Sequence, residues 1–112
     1  MIYNIFIEEL KMYIESKTHD YNKTLSEIVV PSGMRLLNPY ELIYLFKHDK
    51  YNVALHLFNT SEFCSDEENQ NKICTFYSNN NTANWDFRVR NYKSKTTGVR
   101  FVTNDCLNLN FR

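Results

Sequence analysis

The stretch NWDFRVRNYKSKTTGVRFVTNDCLNLNFR, residues 84–112, decides the expected fold, because apolar and polar residues alternate along it with the period of a β-strand. Trp85, Phe87 and Val89 share one phase, and Asp86, Arg88 and Arg90 the other. Val99, Phe101 and Thr103 make a second run, and Leu107, Leu109 and Phe111 a third. Lys93-Ser-Lys-Thr-Thr-Gly98 and Asn104-Asp105 supply turn residues between them. The pattern predicts a basic β-meander, with Trp85, Phe87, Val89 and Phe101 turned inward and Arg88, Arg90 and Arg100 outward.

Upstream, Ile73, Thr75 and Tyr77 alternate with Cys74, Phe76 and Ser78, which predicts a strand that stops at Asn79-Asn-Asn81. Tyr51, Val53, Leu55 and Leu57 alternate in the same way and read as the first strand of the sheet. Between these two runs, residues 61–72 are polar, acidic and without period. They read as an exposed loop carrying Glu62, Asp66, Glu67 and Glu68, with Phe63 as its anchor.

The N-terminal half carries helical signals. Tyr3, Phe6, Ile7, Leu10, Tyr13 and Ile14 recur at spacings of three and four, which predicts an amphipathic helix over residues 3–17. Thr24-Leu-Ser-Glu27 has the residues of a capping box and predicts a short helix before Pro31, or an edge strand through Ile28, Val29 and Val30. Pro31-Ser-Gly33 is a turn in either case. In Asn38-Pro-Tyr-Glu41 a favoured N-cap, a proline suited to the first helical position and a glutamate at the third coincide, so a helix starts there and runs to about His48. The expected fold class is therefore α+β. Two or three N-terminal helices would pack on one face of a four- to five-stranded, mainly antiparallel C-terminal sheet, in a single domain over residues 1–112.

Composition narrows the function classes. Phe, Tyr, Met, Ile, Asn and Lys, whose codons are A/T-rich, make up 49 of the 112 residues. That bias fits an A/T-rich mobile element, phage or virus. The three cysteines, Cys64, Cys74 and Cys106, are an odd set without a C-x-x-C spacing, which argues against a disulfide framework and for a reducing, cytoplasmic setting. No secretory signal and no membrane-length apolar run is visible, so no membrane partner is expected. The net charge of zero conceals an uneven distribution. From Ile73 onward six Lys or Arg face two Asp, a balance of +4, and the first 72 residues carry −4.

No Walker loop, nucleophile elbow or dinucleotide fingerprint is present, and two glycines leave little from which to build a phosphate cradle. No catalytic residue, metal ligand set or cofactor is expected. The spacings of His48, His56, Cys64 and Cys74 are not those of a zinc site, and His19, His48 and His56 fix no acid–base pair. A metal-independent nuclease is the least remote enzymatic reading. Residues 97–104 touch the RNA-recognition-motif signature at Gly98, Phe101 and Val102, but Val99 stands where an aromatic stacks and Arg100 where a small residue belongs, so no family is assigned.

The leading expectation is a small non-enzymatic protein-binding module of the accessory inhibitor or immunity type, blocking another protein sterically or electrostatically. It would act through the acidic loop (Glu62, Phe63, Asp66, Glu67, Glu68) or the basic meander. The alternative is a nucleic-acid-binding module using Arg88, Arg90, Tyr92, Lys93, Lys95 and Arg100. Against both stands the ordinary fact that charges on the wet side of a half-buried strand need no ligand.

Overall fold

The computed structural model describes residues 4–65 and 72–104. Its elements are, in order, β1 (Asn4–Ile7), β2 (Met12–Glu15), β3 (Arg35–Leu36), α1 (Pro39–Phe46), α2 (Asp49–Ala54), β4 (Ser61–Cys64), β5 (Ile73–Ser78), β6 (Ala83–Arg88) and β7 (Phe101–Thr103). A single turn of 3₁₀ helix, Leu25–Glu27, follows Thr24. The strands form two antiparallel sheets, one ordered β1-β2-β7-β3 and the other β4-β5-β6. Two helices and two sheets replace the expected layer of two or three N-terminal helices on one C-terminal sheet.

The first departure lies at the N-terminus, where a β-hairpin stands in place of the amphipathic helix. Ile5 pairs with Ile14 and Ile7 with Met12. Ile7, Met12 and Ile14 enter the core, and Ile5 packs against it. A tight turn at residues 8–11, with Lys11 at φ 51° and its N–H on the Glu8 carbonyl, offsets the two strands. The turn makes two runs of alternation look like one run of three-and-four spacing. Isoleucine and the aromatic residues here also suit a pleated surface better than a helix.

The signal at Asn38 holds. The Asn38 side chain accepts from the Glu41 N–H at 2.8 Å, and the Glu41 carboxylate accepts from the Asn38 N–H at 3.0 Å, closing both bonds of the capping box ahead of α1. Arg35 then grips the same carboxylate through two nitrogens, at 2.8 and 2.9 Å, tying β3 to the start of α1. The turn at Pro31-Ser-Gly33 also forms, with Gly33 at φ 80°, where an L side chain would be strained.

The strand expected through Tyr51, Val53, Leu55 and Leu57 is a helix. In α2 and the turn after it, Tyr51 and Leu55, four apart, are buried, whereas Val53 faces outward. An inward-facing strand would have required the opposite of Val53. Asn52 seals the α1–α2 corner by donating from its side chain to the Phe46 carbonyl at 2.7 Å. The segment read as an exposed loop begins instead with β4, in which Glu62, Phe63 and Cys64 are all buried. Paired with β5, those residues lie in the protein interior, and sequence polarity alone misplaced them.

The basic meander is overturned as well. β6 and β7 lie in different sheets. Of the four residues expected inward, Phe101 is buried and Phe87 packs at the margin of the core, whereas Trp85 and Val89 are exposed. Arg100, expected outward, is 2% exposed. Among the described residues β6 is an edge strand, so its alternation places one phase beside α1 without enclosing it. The turn at Asn79 forms as expected, its side-chain oxygen accepting from the N–H groups of Asn81 and Thr82. The strand expected at Leu107, Leu109 and Phe111 lies outside the described residues, as do Asp66, Glu67 and Glu68.

Two apolar clusters fill the interior. The larger joins Ile7, Met12, Ile14 and Val102 of the first sheet to Leu42 and Leu45 of α1 and to Cys64, Cys74 and Phe76 of the second sheet. The smaller gathers Ile28, Leu36, Phe63, Ile73, Val99 and Phe101. Between the sheets runs the segment just before β7. Gly98 bridges to β4 through Ser61 and Phe63, and Val99 exchanges two backbone hydrogen bonds with His19. A Cβ on Gly98 would stand 2.6 Å from the His19 carbonyl oxygen and 2.9 Å from the Tyr21 ring, so the close passage of these chains requires glycine.

Candidate functional site

Two unusual arrangements grow out of this fold, one inside and one outside. The internal one lies where the segment before β7 crosses from one sheet to the other. Glu15 ends β2, Glu62 is on β4, and both are fully buried. A buried carboxylate is costly unless hydrogen bonds and an opposite charge replace its water. Both conditions are met. Arg100 donates its Nε to Glu62 Oε1 at 2.9 Å, and Thr60 donates its hydroxyl to Oε2 at 2.7 Å. Glu15 Oε1 accepts from the Phe101 N–H at 2.7 Å and stands 2.8 Å from His19 Nε2.

His19 extends the chain of charges to the surface. Its other ring nitrogen, Nδ1, is 2.8 Å from Asp20 Oδ2, and the second Asp20 oxygen accepts from Lys23 at 3.1 Å. A neutral imidazole has one N–H, so two carboxylate acceptors at hydrogen-bond distance call for the imidazolium form. The Glu15 hydrogen bond, aided by the two negative charges, raises the His19 pKa against the opposing effect of burial. Lys23 and His19 together lower that of Asp20. The ring edge also meets the face of Phe101, centroids 5.1 Å apart. With both nitrogens engaged, His19 as held here offers no lone pair to a substrate proton. The arrangement is a clamp between β2, β4 and the approach to β7.

The external arrangement is aromatic. Tyr40 and Tyr44, four apart on α1, form a stripe on one side of the helix. Tyr40 is 74% exposed and meets Trp85 of β6 edge to face at 5.6 Å, with Trp85 itself 37% exposed. Tyr44 is 41% exposed, and the stripe ends at His48, whose ring packs against Tyr51 at 4.6 Å. Among the described residues β6 has no strand partner on its far side, so its backbone edge runs beside this cluster.

The expected binding residues divide across these regions. Glu62 and Arg100, assigned to rival acidic and basic surfaces, neutralise each other inside the protein. Phe63 is buried and meets Tyr92 edge to face at 6.3 Å. Arg88 lays its guanidinium over the Tyr92 ring at 5.3 Å. Arg90, Lys93 and Lys95 are exposed along the chain that follows. The basic face thus loses Arg100 and keeps a short run of cations at one end of β6. His56 is exposed next to Phe58, and His48 belongs to the α1 stripe.

Sequence reasoning missed Glu15, His19, Asp20, Tyr40 and Tyr44. The i,i+4 spacing of Glu15 and His19 is present in the sequence, but spacing alone does not show that Glu15 is buried. No helix among the described residues is long and apolar enough to cross a membrane. Comparison with protein families, with curated proteins and with solved structures yields no match. The functional reading therefore rests on the residues themselves.

Proposed function

We propose that this chain is a protein-binding module whose contact surface is built on Tyr40, Tyr44 and Trp85 beside the open edge of β6. The observation that carries the reading is the exposed Tyr40–Trp85 pair, which joins a helix to an edge strand. Tyr and Trp are the residue types that anchor protein interfaces, because each adds a large contact area with few rotors to immobilise. Their placement on a capped helix and a paired strand fixes the anchors before a partner arrives. The adjoining backbone edge of β6 offers N–H and C=O groups to an extended segment of that partner. A bound partner would be blocked sterically at whatever surface meets this face. The narrower reading, an accessory inhibitor or immunity-type protein, has the A/T-biased composition as its support.

The test is capture from the native host with wild-type protein, with the Tyr40→Ala/Trp85→Ala double variant and with a Lys93→Ala/Lys95→Ala control. A stoichiometric protein retained by the wild type and the control, and lost by the double variant, is the expected result. Equal retention by all three, or no stoichiometric protein at all, refutes the reading. Retention of nucleic acid that weakens steeply with salt and fails in the lysine variant would move the function to the cations at the end of β6.

A further inference from the structure

Cys64 and Cys74 lie directly opposite each other in the β4–β5 pair, at the end of the two strands. Both side chains are buried in the larger core cluster. Their sulfur atoms are 2.6 Å apart, closer than two unbonded sulfurs sit, so each side chain already points at the other. We propose that Cys64 and Cys74 are a disulfide-forming pair and that the bond clasps β4 to β5. The odd cysteine total conceals the pair, because counting weighs Cys106 equally, whereas strand register places just these two residues face to face among the described residues. The bond would close residues 65–73, the stretch that carries Asp66, Glu67 and Glu68, into a covalent loop.

The oxidant is a low-molecular-weight disulfide. One cysteine thiolate attacks a sulfur of the reagent, forming a mixed disulfide and releasing one small thiol. The second cysteine thiolate then attacks the protein sulfur of that mixed disulfide and releases the second small thiol. In balance, the protein loses two hydrogens as two protons and two electrons, and both reducing equivalents reside in the two released thiols. Because the folded core covers both sulfurs, exchange takes place while β4 and β5 are apart, during folding or local opening.

The proposal is tested by refolding the full chain in glutathione buffers of increasing disulfide fraction, then quenching with acid. Intact mass, maleimide labelling in denaturant and peptide mapping follow. The expected product is two hydrogens lighter, takes up one maleimide where the reduced chain takes three, and yields a linked Cys64–Cys74 peptide. A Cys106→Ser chain should form the same link and take up no maleimide once oxidised. Three maleimides at every buffer ratio, a link through Cys106, or a stable glutathione adduct in place of the link would overturn the proposal. These readouts do not depend on partner binding, so the result stands apart from the fate of the α1–β6 surface.

Discussion

The junction between the sheets and the α1–β6 surface depart from ordinary residue placement in opposite directions: charges are enclosed at the first, and large aromatics face water at the second. At the junction every buried charge is answered within the chain. Glu62 has Arg100 and Thr60, while Glu15 has His19 and the Phe101 amide. On the surface, Tyr40 is 74% exposed and its ring meets Trp85, itself 37% exposed, edge to face. The difference teaches where each region's constraint comes from. The charges at the junction are held by partners within the fold, whereas Tyr40 keeps most of its surface in solvent, where the proposed partner would touch it.

Substitutions can break this contrast, and the largest effect belongs inside. Arg100→Ala leaves Glu62 buried without its cation and should cost about 3–5 kcal/mol of folding free energy, measured by urea denaturation. Replacing both members, Glu62→Leu with Arg100→Met, should recover most of that loss, since apolar residues of similar volume often match a buried ion pair. A double variant no more stable than Arg100→Ala would show that the pair itself is indispensable to the junction.

A smaller effect is expected at His19, and it depends on pH. Because the folded pKa is raised above the ordinary value of 6.5, the protonated ring's contribution is fully present below that value and fades as pH rises through the folded pKa. Asp20 behaves in the opposite sense. Its lowered pKa gives a contribution that is present above the ordinary carboxylate value of 3.8 and lost as pH falls through the folded one. The stability gap between wild type and His19→Asn, followed by denaturation across pH, should therefore be widest in mildly acidic solution and narrow on the alkaline side. A gap that widens with rising pH would reverse the assigned charge state. The smallest effect should come from Tyr40→Ala, within about 0.5 kcal/mol of wild type in the same denaturation experiment. A loss comparable to that of Arg100→Ala would make Tyr40 a structural residue and remove the contrast.

Legibility in the sequence followed the range of the forces involved. Asn38, Pro39 and Glu41 act within one helical turn, and α1 begins where they indicate. β5 and the Asn79 turn were equally readable, since alternation and an Asn-rich corner are local properties. The N-terminal hairpin was not, because a four-residue turn between two alternating runs imitates helical spacing, and only pairing across the turn distinguishes the two. The junction was the least legible. Glu62 and Arg100 are separated by 38 residues, and each by itself has the composition of a surface residue. Long-range pairing turned both inward, and no pattern in the intervening chain specifies that meeting. The exposed aromatics failed for a related reason. Trp85 alternates in phase with Phe87, but the phase of a strand identifies a face without showing how far the covering helix extends over it.

The position of β7 has a consequence for the order in which the molecule can be assembled. This strand enters late in the chain yet stands between β2 and β3, two strands that precede it by dozens of residues. As the polypeptide leaves the ribosome, the β1–β2 hairpin can close early, but the slot beside it stays open, Glu62 has no Arg100 to meet and Glu15 has His19 without the Phe101 amide. Contacts of such wide sequence separation make for slow folding and leave unpaired strand edges exposed in the meantime. The nascent chain therefore carries both its open slot and a Glu62 without its cation until residues 98–103 emerge. Substitutions in that short segment should be felt first as a lower yield of folded protein during synthesis, before they are felt as a lower stability of the protein that does fold.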